Sequence, residues 1–169
     1  MTDRRSNCNV AGAKAEHRFA ARMEKMGRTI TWATEQENRI DKWDLAVANG
    51  VAAPLKFDVK TVKLGGPSGS LLLEVKGVSG YAGWLYGESD YIAFEKDLGG
   101  FMVFSRADLA DLIETEYLLD EEACRQSFKR EKPRYGYAVN NFYGRPNRKD
   151  VFIYLDADWV MDKLEFWEV

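Results

Sequence analysis

A central mixed β-sheet flanked by helices, of the α/β (α+β) class, is what this chain predicts, and three observations carry the prediction. Residues 10–26 repeat their apolar positions with a helical period. Short segments between 29 and 104 alternate in polarity or are rich in β-branched and aromatic residues, with glycine and proline between them. A second helical pattern follows Ser105. At 169 residues, 46% of them hydrophobic and 30% charged, the chain suits one domain with a substantial core.

The first helix, VAGAKAEHRFAARMEKM from Val10 to Met26, closes at Gly27, a residue suited to a C-cap. Ala15, Phe19, Arg22/Met23 and Met26 mark its inner stripe, with Glu16 on the edge of that stripe. Judged on this helix alone, Glu16 reads as an exposed helix glutamate. Thr29–Ala33 forms a short strand, Thr34–Asp41 a charged segment, and Lys42–Val47 a second strand with Trp43, Leu45 and Val47 on one face. Asp44 interrupts that apolar run, where a carboxylate needs a partner or a cation. Asn49-Gly50 signals a turn, and Pro54 breaks any strand before Leu55. A tight hairpin at Asn49-Gly50 would pair Asp44 with Leu55 and leave Asp44 and Asp58 on opposite faces. A longer or bulged 49–54 connection is therefore expected.

Phe57–Lys76 reads as two strands joined by the turn residues Gly65–Gly69. That hairpin register sets Lys60 opposite Glu74 and Asp58 opposite Lys76, a charged square on one face, while the apolar face wants a helix over it. Cross-strand charge pairs contribute only ~0.2–1 kcal/mol and are common on wetted faces, so the square by itself is more often a solvated surface than a site. Beyond it come a glycine- and aromatic-rich connection (80–87), strands at Asp90–Glu95 and Phe101–Phe104, and a helix capped by Ser105 that runs to about Tyr117 on Leu109, Leu112 and Ile113. Residues 120–132 pattern as a poorly amphipathic helix. The 133–150 loop interleaves Arg134, Tyr135, Tyr137, Tyr143, Arg145, Arg148 and Lys149, which suits base stacking and phosphate contact. A long surface loop with aromatics tucked beneath it explains the same composition. Val151–Leu155 is a strand, Ala157–Asp162 a helical turn, and LEFWEV a last strand.

The net charge of −3 argues against a protein that coats nucleic acid by charge alone, yet it is compatible with an enzyme whose acidic centre holds metal. No apolar run approaches the ~20 residues of a membrane span, and MTDRRSNCNV is not a signal peptide, so no membrane partner is expected. Cys8, Cys124 and the single histidine, His17, lack zinc-ligand spacing and read as belonging to a reduced, cytoplasmic protein.

With Glu16 on a helix, Asp44 on a strand and Asp58-Val59-Lys60 on the next, the chain resembles the PD-(D/E)xK nuclease superfamily, whose restriction-endonuclease-like core runs αβββαβ. The resemblance covers residues 10–118 and leaves 119–169 as a C-terminal extension of a single domain, 1–169. The segment GWLYGESDYIAFE also looks like proteins of phage type. Trp43 stands where that family often has proline before the first acid. Glu74-Val75-Lys76 is a second match to the motif, and in that alternative frame Asp58 is the first acid.

The resemblance implies a Mg²⁺- or Mn²⁺-dependent deoxyribonuclease, with structure-selective or resolvase-like cutting within its range. Asp44, Asp58 and the Val59 carbonyl would hold the ion, with Glu16 supporting it through water or a second ion. Lys60 would orient the attacking water, and Glu74 and Lys76 would be additional members of the site. Lys63, Arg134, Tyr143, Arg145, Arg148 and Lys149 would contact nucleic acid. Two-fold dimers are frequent in that superfamily, so a homodimer is compatible with it, in the cytoplasm of a bacterium or phage-infected cell. The rival expectation is a catalytically silent nucleic-acid- or protein-binding module on the same scaffold.

Overall fold

A computed structural model describes residues 4–61, 69–77, 80–96, 100–116, 135–140 and 150–169. The expectations for Lys63, Arg134, Tyr143, Arg145, Arg148, Lys149 and a 120–132 helix lie outside the described residues. Along the chain come α1 (Arg4–Lys25), β1 (Thr29–Trp32), α2 (Glu35–Ile40), β2 (Leu45–Ala48), β3 (Leu55–Lys60) and β4 (Ser70–Lys76). A 3₁₀ turn (Trp84–Tyr86), β5 (Tyr91–Glu95), β6 (Phe101–Ser105) and α3 (Arg106–Glu116) follow. The last elements are β7 (Tyr135–Asn140), β8 (Asp150–Asp156), α4 (Ala157–Lys163) and β9 (Phe166–Glu168). The chain divides into two compact units, one of Met1–Val62, Glu88–Ser105 and Phe166–Val169, the other of Lys63–Gly87 and Arg106–Glu165.

The first unit is a six-stranded sheet in the order β1-β2-β3-β5-β6-β9. Only β3 and β5 run parallel within it, so the sheet is mixed, as expected. One face carries Leu45, Val47, Phe57, Val59, Ala93, Phe101 and Val103, and α1 closes it with Ala15, Phe19, Ala20 and Met23. The Phe19 ring meets Phe57 and Phe101 at 5.1 Å each, tilted on the first and edge-on to the second. The apolar face expected at Phe57 and Val59 thus finds its helix. That helix starts earlier than its pattern suggested and stops at Lys25. Met26 is therefore exposed rather than part of the stripe, just before Gly27 at φ 77°. Arg18 forks onto the Glu95 carboxylate at 2.5 and 2.8 Å, which ties α1 to the end of β5.

Between β2 and β3 the connection is the open loop expected, not a tight hairpin, and Leu45 pairs with Phe57. The expected hairpin of Phe57–Leu64 with Ser70–Lys76, in contrast, does not form. β3 is bonded by β2 on one edge and β5 on the other, so no edge is left for β4. Phe57, Asp58 and Val59 are buried in succession, the mark of a central strand. The charged square of Asp58, Lys60, Glu74 and Lys76 is accordingly absent. A glycine-rich connection permits adjacent strands to pair but does not enforce it.

In the second unit β4 pairs instead with β8, antiparallel, placing Leu71 opposite Leu155 and Leu73 opposite Ile153, all four buried. β7 lines the other edge of β8, so part of the expected 133–150 loop is a strand. Leu109 and Ile113 of α3 are buried as predicted. Gly83 leads into the 3₁₀ turn at an ordinary φ of −72°, and its N–H donates to the Val75 carbonyl at 2.9 Å. A Cβ on Gly83 would stand 2.1 Å from the Glu74 carbonyl oxygen, so the glycine is needed for space rather than for conformation. No helix among the described residues is long and apolar enough to cross a membrane.

Gly83→Ala should therefore lower unfolding stability by about 2 kcal/mol, since neither partner of the clash is a flexible side-chain tip. Chemical denaturation measures it, and an unchanged midpoint would mean that the turn is free to move off β4.

Candidate functional site

The segment between β1 and β2 does more than its charged composition suggested. Thr34 caps α2, its hydroxyl accepting from the Glu37 N–H at 3.3 Å while the Glu37 carboxylate accepts from the Thr34 N–H at 2.8 Å. The helix ends where the N–H groups of Asp41 and Lys42 both donate to the Glu37 carbonyl. Lys42 sits at φ 61°, a left-handed conformation that costs a non-glycine residue ~1 kcal/mol and turns the chain into β2. No residue of α2 is buried. Its purchase on the sheet is polar: Asn38 Nδ2 donates to Asp44 Oδ1 at 2.5 Å and, more loosely, to the Trp43 carbonyl at 3.4 Å.

Asp44 stands just before β2, with 8% of its surface exposed. Its backbone bonds both neighbouring strands, the N–H to Phe57 O (2.8 Å) and the carbonyl to Ala33 N–H (2.9 Å). The side chain then extends the ladder, because Oδ2 accepts the backbone N–H of Val59 at 2.7 Å. A carboxylate takes the place of a strand carbonyl here, which holds it close to the sheet plane. Val59 enters the site through its N–H, whereas the motif suggested its carbonyl.

Asp58 lies opposite the apolar face of β3, 2% exposed. Its Oδ1 accepts from Lys60 Nζ at 2.5 Å, whereas Oδ2 is buried with no hydrogen-bond donor. The Asp44 carboxylate is near enough to act on it electrostatically. Burial pushes the Asp58 carboxyl well above its ordinary range. Lys60 pulls it back in part, and the negative charge of Asp44 adds to the rise. Glu16 is half-buried rather than exposed, and its carboxyl is raised by burial and then by Asp44, with Lys60 and His17 opposing.

Asp44, Asp58 and Lys60 are thus in one cluster, with Glu16 in electrostatic reach of Asp44 and Lys60. Glu74 and Lys76 lie on β4 in the second unit, where the Glu74 carboxylate accepts from the Trp84 N–H at 3.4 Å. Asn38 was missed in the sequence, although Thr34-x-x-Glu37 is a capping-box signature that places a helix there. Among the described residues no three His, Cys, Asp or Glu side chains stand close enough to hold one ion together. What the cluster does bring is two adjoining carboxylates, one with a buried oxygen lacking any donor. That donor set fits Mg²⁺, which takes one or two carboxylates and keeps its remaining positions for water and substrate phosphate.

No protein-family model and no curated protein matches the chain. A bacterial homing endonuclease of known structure is similar to it at a TM-score of 0.44 and 20% identity, over 58% of this chain and 68% of that one.

The folded protein holds a proton on Asp58 more tightly than the unfolded chain does, and the same holds for Glu16. Their contribution to stability is complete below the ordinary carboxylate pKa and is lost as pH rises through the folded value. Without divalent ions, stability should therefore fall between pH 4 and neutrality. Asp58→Asn, whose amide can donate to Asp44, should raise neutral-pH stability by about 1–2 kcal/mol and flatten that slope. Thermal melts across pH measure both effects, and a wild-type profile that rises over this range would contradict the assignment.

Proposed function

We propose that this protein is a divalent-metal-dependent deoxyribonuclease hydrolysing DNA phosphodiesters at the Asp44–Asp58–Lys60 cluster. The observation that supports it most is the buried, donorless Asp58 Oδ2 beside the Asp44 carboxyl. A buried like-charge pair needs a proton or a cation between its members. Mg²⁺ or Mn²⁺, when bound, would polarise a phosphoryl oxygen and lower the pKa of a water. Asp44 and Asp58 would hold it. Asn38 and the Val59 N–H keep the Asp44 carboxylate from rotating, so ligand geometry is set before the ion arrives.

Lys60, part-exposed and held on Asp58, would release its ammonium towards phosphate once a cation took over charge neutralisation at that carboxylate. It would then orient the attacking water and offset charge on the phosphoryl oxygens. Glu16, whose folded state favours a proton, is suited to take one from a water near Asp44. Structure-selective or resolvase-like cutting, a homodimer and a phage-type origin belong to the same proposal as its finer possibilities. The silent binding module remains the competing reading, favoured by the Asp58–Lys60 ion pair, which a structural role would also explain. Titration with Mg²⁺ or Mn²⁺ followed by calorimetry separates the two.

Purified protein with Mg²⁺ or Mn²⁺ should cut DNA supplied as single-stranded, duplex, nicked and branched forms. Asp58→Ala and Lys60→Ala should each reduce cutting by about 10²–10³-fold or more with the circular dichroism spectrum retained. Failure to cut any of these forms ends the enzyme reading. Asn38→Ala should act differently, raising the Mg²⁺ concentration for half-maximal rate about 10–100-fold while added metal restores much of the rate. A fall in maximal rate with unchanged metal dependence would instead give Asn38 no part in holding Asp44.

A further inference from the structure

Trp32 ends β1 with 42% of its surface exposed, on an edge strand of the six-stranded sheet. The register pairs it with Leu45, and the next N–H, that of Ala33, donates to the Asp44 carbonyl. Strand spacing then puts the Trp32 backbone ~6 Å from that of Asp44. The C-terminal ends of β1 and β3 and the start of β2 lie at one end of the sheet, so Trp32, Asp44 and Lys60 share that end. The register puts the indole on the α1 face and the Asp58 carboxyl on the other, so a bound strand reaches both by passing round the end of the sheet. His17, the residue after Glu16, props the indole from α1, with ring centroids 4.8 Å apart and planes at 54°. An indole this exposed gains little from the core, yet its position is fixed by a strand on one side and an imidazole on the other.

We propose that Trp32, propped by His17, is a stacking platform for an unpaired nucleobase of the DNA strand whose phosphate is presented to Asp44, Asp58 and Lys60. The proposal rests on the nuclease reading and adds to it a substrate class, DNA that is single-stranded or locally opened at the cut. In a duplex each base face is covered by its neighbours, whereas an unstacked base offers its π-face to an aromatic side chain. Stacking of this kind is tolerant of base identity, so the platform selects for strand state more than for sequence.

The test measures binding, in an Asp58→Asn background so that nothing is cut. A labelled single-stranded oligonucleotide should bind the Trp32→Ala double variant about 5- to 150-fold more weakly, the range given by alanine in place of a base-stacking aromatic. Trp32→Phe should keep most of the affinity, which guards against a folding defect. An abasic nucleotide walked along the oligonucleotide should weaken binding at one position, and that position should cease to matter once Trp32 is alanine. Affinity for a blunt duplex of the same sequence should change little. Unchanged single-strand affinity, an equal loss for duplex, or no sensitive position overturns the platform. Wild-type cleavage assayed alongside tells the two failures apart. Cutting without any Trp32 dependence overturns the platform alone, and absence of both cutting and binding removes the nuclease reading and the platform together.

Discussion

Two carboxyl groups pressed together in a nearly dry place set the terms for the first unit. Asp58 is carried inward by β3, whose alternate residues Phe57 and Val59 are locked against α1, so its side chain has no freedom to turn towards solvent. Asp44 is brought beside it by the same register, and Lys60 can satisfy only one of the Asp58 oxygens. Packing on one face of the sheet therefore imposes an electrostatic problem on the other. A protein with no use for that arrangement would be more stable with a neutral residue at 58, and tension of this kind tends to collect where a fold is used.

The supports around the pair are backbone-like and cheap in residues. A capped single-turn-and-a-half helix with nothing buried supplies one amide to one carboxylate, and a left-handed lysine supplies the change of direction that makes it reach. The Asp44 side chain stands in for a ladder carbonyl, so its orientation inherits the rigidity of the sheet. Neither device needs a large interface. Both depend on the local chain path being held within a few tenths of an ångström, which a central strand provides better than a loop.

Most strands and both principal helices were legible in the amino-acid sequence, because alternation and helical period are local signals. The convergence of Asp44 with Asp58 was legible too, since Pro54 and the wrong face produced by a tight turn argued for an open 49–54 loop. Pairing partners were not. Nothing near Ser70–Lys76 indicates that its mate is the distant Asp150–Asp156, and proximity in sequence pointed to the wrong neighbour. Glu16 read as exposed for a related reason: whether an edge position on a helix is covered depends on what the sheet beneath it presents. α2 and with it Asn38 were hidden by composition, as a short charged segment without an apolar stripe shows only its capping residues.

The last strand has a consequence for how the chain is made. β9 joins β6 in the first unit, yet in synthesis it follows everything in the second, and Val169 exchanges both backbone hydrogen bonds with Phe101. On a ribosome the earlier strands emerge before this one, so β6 waits with an open edge while the residues between Ser105 and Phe166 are made. Tyr91 and Phe104 find their aromatic neighbours Trp167 and Phe166 only after the second unit has been synthesised. The sheet is thereby completed only after the second unit has been made, and until then the free edge of β6 is open to pairing with the wrong chain.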